Sequence, residues 1–72
     1  MEINRTRQED ELRRIKFAME VLGEPMPETL EEAQAKMRWI NQKPKDGAIW
    51  IRIQDLGIRH QNMIQNLINN LP

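Results

Sequence analysis

Apolar residues recur at intervals of three and four along the first third of this chain. They form a stripe of Leu12, Ile15, Ala18, Met19 and Leu22, which Phe17 and Val21 widen. This spacing predicts an amphipathic helix over about residues 4–22, with Asn4 as its expected cap. Gly23 and then Pro25 follow the stripe, and this order of residues is typical of a helix end.

A second stripe of apolar residues predicts a helix over about residues 28–41. Its members are Leu30, Ala33, Met37 and Ile40. Three glutamates near its start and two basic residues near its end suit the helix dipole. Trp39 lies beside the stripe, so its ring could either cap the core or be partly exposed.

The segment Ala48–Ile53 carries two patterns at once. Ile49, Ile51 and Ile53 alternate with other residues, as in a strand. However, Ile49, Ile53 and Leu56 also fall on one face of a helix. A single strand would have no partner in this chain. We therefore predict a helix over about 48–56.

The last apolar stripe predicts a helix over about residues 59–70. It consists of Met63, Ile64, Leu67, Ile68 and Leu71. Gly57 lies between this helix and the previous one, where a tight turn would require a positive φ. The four stripes together predict an all-α fold, a small bundle of three to four helices forming one domain over residues 1–72.

Composition narrows the possible functions. The chain has 72 residues, no cysteine, and 11 basic side chains against 11 acidic ones. Disulfides and thiolate metal sites are therefore excluded. Serine and tyrosine are also missing, and there is a single histidine, so we expect neither an enzyme nor a bound metal or cofactor. A charged N-terminus and the lack of a long apolar run predict no signal peptide, no membrane span and a cytoplasmic location.

The polar face of the predicted last helix is unusual. It carries Arg59, His60, Gln61, Asn62, Gln65 and Asn66 and no acidic residue. Asparagine is a mediocre helix former, so helix stability does not explain this choice. Amide side chains both donate and accept hydrogen bonds, which suits them to reading base edges. Residues 38–72 also hold five basic side chains against two acidic ones, so acidic charge is concentrated elsewhere.

Leu56-Gly57-Ile58, followed by Met63 and Leu67, resembles the core pattern of the helix-turn-helix family. The resemblance covers residues 55–68 and departs from the family pattern at Arg52, Ile53 and Arg59. It implies that the last helix enters the major groove of DNA with the polar face described above. Lys43, Lys45 and Arg52 would then contact phosphates. The resemblance therefore predicts a transcription regulator, of the kind that phages or plasmids encode, which binds double-stranded DNA as a homodimer.

A second hypothesis belongs to another class and requires no nucleic acid. Tryptophan is enriched at binding hot spots, so an exposed Trp50 would indicate a protein interface. In that case the chain would be a protein-binding module or inhibitor. Its docking surface would consist of Ile49, Trp50, Ile51, Phe17 and Trp39, together with the apolar stripe of the first helix. Zero net charge favours this hypothesis, whereas the amide-rich face favours DNA binding.

Overall fold

Helices make up most of the computed structural model, which describes the backbone of residues 2–71 and the side chains of residues 7–71. Helix α1 spans Glu2–Leu22, α2 spans Leu30–Gln42, α3 spans Ala48–Asp55 and α4 spans Ile58–Asn69. The predicted all-α fold is confirmed, and Ala48–Ile53 is helical. Helix α1 begins before the predicted cap Asn4, whose side chain lies outside the described part, as do residues 1 and 72 of the predicted domain.

As the sequence predicts, α1 is followed by Gly23, and Gly57 lies in the turn between α3 and α4. Gly23 has φ +73°, and the bonds from its N–H to the Glu20 carbonyl (3.1 Å) and from the Glu24 N–H to the Met19 carbonyl (2.9 Å) complete a Schellman motif. Gly57 has φ +96° and ψ 165°, a region of backbone space that only glycine occupies readily. The chain can therefore turn sharply between α3 and α4.

One core draws on all four helices. Helices α1 and α4 each pack against the other three helices. The most deeply buried large side chains are Ile15, Met19, Met37, Ile40, Ile53 and Ile64. These residues come from the predicted stripes. Phe17 lies outside the core with 46% of its surface exposed, so it does not widen the α1 stripe as expected.

A tryptophan joins α3 to the end of α2. Trp50 is only 5% exposed, and its indole Nε1 donates a hydrogen bond to the Ile40 carbonyl oxygen at 3.1 Å. The Lys45 ammonium lies 3.2 Å from the centre of the indole ring and covers it. The indole is therefore part of the core, with its one polar group satisfied.

Candidate nucleic-acid interface

The outward face of α4 is defined by what the helix buries. Ile64, Leu67 and Ile68 turn toward the core. Because a helix has 3.6 residues per turn, the opposite side must then face solvent. Arg59, Gln61, Asn62 and Asn66 are exposed as expected, and we call them the α4 face. Gln65 borders this face; it is half-buried, and its Nε2 donates to the Asn69 Oδ1 at 3.3 Å.

His60 is not part of this face. It is half-buried, with Nδ1 3.3 Å from the Leu56 carbonyl oxygen. Its ring centre lies 6.1 Å from that of Phe17, so the imidazole packs toward α1. His60 therefore lies on the α1 side of the α4 face, and a contact of His60 with DNA stays a prediction. Its position on the helical wheel, between the buried residues 64 and 67, could have revealed this from the sequence.

The start of α4 is open. Gly57 is its N-cap, no side chain caps the helix, and no acidic residue lies in its first turn. The first helical hydrogen bond runs from the Gln61 N–H to the Gly57 carbonyl at 3.0 Å, so the preceding N–H groups of the helix have no helical acceptor. A Cβ placed at Gly57 would meet no atom within 4 Å apart from those of its two neighbours in the chain. Another molecule can therefore approach the backbone closely here.

Arg14 of α1 extends the candidate surface beyond α4. It lines a groove of about 510 Å³ between the two helices, together with Arg59 and three asparagines, Asn62, Asn66 and Asn70. Met63 and Leu67 also line this groove. Sequence analysis did not identify Arg14, because only the packing of α1 against α4 brings it beside Arg59. The signal that could have indicated it is the seven-residue spacing of Arg7 and Arg14, which places both on one side of α1.

Toward the start of α1, acidic side chains appear next to the arginines in the lining. The adjoining depression of about 480 Å³ is lined by Arg7 and Arg14 and also by the carboxylates of Asp10 and Glu11. Carboxylates offset the arginines there. Among the described side chains, no carboxylate lines the section between Arg14 and Arg59, so that section is the more basic one.

The three basic residues that were predicted to contact phosphates lie elsewhere on the molecule. The Lys43 ammonium is 4.4 Å from the centre of the Trp39 ring, and Lys45 covers Trp50. The Arg52 Nη2 donates to the Val21 carbonyl at 3.5 Å, near the end of α1. None of these three residues lines the groove beside α4. The structure therefore brings Arg59 together with Arg14, and not with the cations that the resemblance implied.

Ile58 also differs from expectation. The resemblance to the helix-turn-helix family requires the apolar residues beside the glycine to pack the two helices together. Leu56 does pack against the core, but Ile58 is 76% exposed. The first side chain of α4 therefore contributes to the outer surface and not to the helix pair.

The burial of Trp50 leaves fewer of the predicted residues available for the alternative protein interface. A ring that is 5% exposed cannot dock a partner, and the α1 stripe is likewise in the core. Trp39 (37% exposed) and the half-buried Ile49 remain, and both line an apolar depression of about 270 Å³. Phe17 and Ile51 are about half exposed and do not line that depression.

No polar or charged residue among residues 7–71 is buried. Within the same residues, no group of three or more His, Asp or Glu side chains could hold a metal ion. In the described part of the chain, no helix combines the length and apolar character needed to cross a membrane.

No protein-family model matches the chain, and no curated protein or solved structure is significantly similar to it. The resemblance to the helix-turn-helix family therefore depends on residues 55–68 alone, and the functional argument on the surfaces described above.

Proposed function

We propose that the chain binds double-stranded DNA and inserts the α4 face into the major groove. The observation that carries this proposal is the composition of that surface. Helix α4 contains no acidic residue, its exposed polar side chains are amides and Arg59, and Arg14 lies beside them in the groove. Such a surface attracts phosphates and offers paired donors and acceptors to base edges.

The amides would supply sequence preference. Asparagine and glutamine side chains can make paired hydrogen bonds to adenine, and arginine can do so to guanine. Each well-formed pair discriminates against a wrong base by about 1–3 kcal/mol. Asn62 and Asn66 are four residues apart on one side of α4, so both can reach into the same groove.

The open start of α4 suits this docking geometry. Residues near the start of a recognition helix contact base edges in helix-turn-helix proteins. At the start of α4, Gly57 leaves free space and no side chain occupies the helix N–H groups. Phosphate oxygens are good acceptors for such groups.

The zero net charge of the whole chain does not oppose binding, because the charge is unevenly distributed. Residues 24–37 contain four acidic side chains and one basic one, and residues 38–72 have the opposite imbalance. One surface with so few cations would bind weakly. We therefore propose a homodimer, in which two-fold symmetry presents two α4 faces to the duplex.

The test is a salt series with a labelled random-sequence duplex, followed by selection of preferred sequences. We expect binding at low salt and a steep, linear fall of log affinity with log salt. Replacing Gln61 and Asn62 with alanine should remove about 1–3 kcal/mol of sequence discrimination for each lost base contact. Absence of binding by the wild type even at low salt would overturn the proposal.

A matched control lies on α2. Asn41 and Gln42 form another exposed pair of adjacent amide residues, on a different helix from the α4 face. Replacing both with alanine should leave affinity and sequence preference unchanged. Equal losses from the two double variants would mean that the α4 face is not the reading surface.

A second candidate function is binding of a partner protein at the Trp39 depression. The half-exposed indole, with the Lys36 and Lys43 ammoniums 4.9 and 4.4 Å from its centre, favours this candidate. Tryptophan is enriched in binding hot spots. In this case the salt series would show no duplex binding, whereas replacing Trp39 with alanine would abolish the partner interaction and leave the fold intact.

A further inference from the structure

Arg14 lines three depressions between α1 and α4 in the part of the chain whose side chains are described. It lines the groove beside Arg59, the depression beside Arg7, and a third one beside Phe17 and Met63. Its guanidinium is therefore central to the surface where the two helices meet. Arg14 itself is exposed, so this position is open to a ligand.

The groove between Arg14 and Arg59 has the chemistry of an anion site. A guanidinium presents several N–H donors in a planar fork that matches phosphate oxygens. Asn62, Asn66 and Asn70 place further amide donors in the same lining, which holds no carboxylate among the described side chains. Asp10 lines both of the adjoining depressions with Arg14, and Glu11 lines one of them.

Helix dimensions indicate which anion would come here. An α-helix with its side chains is about 10–12 Å across, and the major groove is about 12 Å wide. A helix in that groove therefore has a sugar-phosphate strand along each flank. For α4, the flank on the α1 side is the groove that Arg14 and Arg59 line.

We propose that Arg14 and Arg59 bind one backbone phosphate diester of duplex DNA, on the strand that runs along the α1 side of α4. The inference depends on the proposed DNA binding and adds to it a phosphate site built from two helices. Arg14 positions the duplex, and the amides of the α4 face read it.

The neighbouring arginine provides a matched control. Arg13 is exposed on the same helix and does not line the groove beside Arg59; its Nη1 lies 3.5 Å from the Asp10 Oδ1. Arg13→Gln and Arg14→Gln therefore make the same chemical change on adjacent exposed positions. Circular dichroism should show the same helix content for both variants.

The first measurement is the salt dependence of binding to the random-sequence duplex. Each neutralised phosphate contributes about 0.9 to the slope of log affinity against log salt. Arg14→Gln should lower the slope by about that amount for each protomer, about 1.8 for the proposed dimer, and weaken binding to all sequences similarly. Arg13→Gln should keep the wild-type slope.

The second measurement identifies the phosphate itself. In a selected duplex, each phosphate is replaced in turn with an uncharged methylphosphonate. For the proposed dimer, we expect a weakening for wild type at two symmetry-related positions, one on each strand, and at those positions no further weakening for Arg14→Gln. Arg13→Gln should respond as wild type does.

The outcomes separate the two proposals. Duplex binding with an unchanged slope in Arg14→Gln, or the same methylphosphonate profile as wild type, would overturn the phosphate site and leave DNA binding in place. No duplex binding by the wild type at low salt would overturn both.

Discussion

Helices α2 and α4 begin in opposite ways. At the start of α2, the Thr29 Oγ1 accepts a hydrogen bond from the Glu32 N–H, and the Glu32 carboxylate accepts one from the Glu28 N–H, each at 3.1 Å. Glu31 and Glu32 add negative charge to the first turn. The start of α4 has a glycine, no side-chain cap and no acid.

The difference shows where each helix obtains its stability. Side-chain caps and first-turn acids stabilise α2 locally. Helix α4 lacks both, and its order depends on burying Ile64, Leu67 and Ile68. Its first N–H groups therefore remain free for an external acceptor, which is consistent with the proposed approach of DNA.

The largest effect is expected at the turn before α4. Gly57→Ala should lower the free energy of unfolding by about 1–3 kcal/mol, because a Cβ is strained at φ +96°. Urea denaturation measures this. Apart from those of its two neighbours in the chain, no atom lies within 4 Å of the added Cβ, so the loss would come from backbone conformation and not from a clash. D-alanine at position 57, made by chemical synthesis, should restore most of the stability; a loss as large as that of L-alanine would contradict the explanation.

A smaller effect is expected at the start of α2. Thr29→Ala removes the hydroxyl that caps the helix and should lower the free energy of unfolding by about 1 kcal/mol. Thr29→Ser keeps an acceptor and should stay close to wild type in the same denaturation experiment. Because α2 does not form the proposed DNA surface, neither variant should change DNA affinity. A change would mean that the two helix starts are coupled.

The smallest effect on stability is expected for a substitution on the α4 face, and this substitution should stabilise the fold. Asn66→Ala should raise the free energy of unfolding by up to about 0.7 kcal/mol, because alanine favours helix more than asparagine does. It should also weaken DNA binding by about 1–3 kcal/mol if Asn66 contacts a base. Thermal unfolding and the duplex titration together give both values. Asn41→Ala on α2 should change stability without changing binding.

The helices could be predicted because the spacing of apolar residues within each segment is enough to indicate a helix. The helical form of α3 followed from Ile49, Ile53 and Leu56 falling on one face, and from the lack of a partner for a strand. Helix α2 starts two residues later than its predicted start at residue 28. It begins at Leu30, because the Thr29 side chain accepts the bond from Glu32 and so becomes the cap.

The candidate site was less predictable because it depends on how the helices pack. Arg14 meets Arg59 only across the α1–α4 contact, and no spacing within α4 indicates it. The burial of Trp50 depends on a carbonyl ten residues earlier and on the Lys45 side chain. The position of His60 beside Phe17 likewise arises from packing against α1.

The carbonyl oxygen of Ile40 accepts two hydrogen bonds, from the Lys43 N–H and from the Trp50 indole, both at 3.1 Å. This one oxygen atom thus links the end of α2 both to the first loop residue and to α3. Helix α3 is eight residues long, too short to persist alone in water. Its order depends on packing against α1 and α4 and on this bond to the last turn of α2, so fraying of that turn would loosen α3 without freeing it from the core.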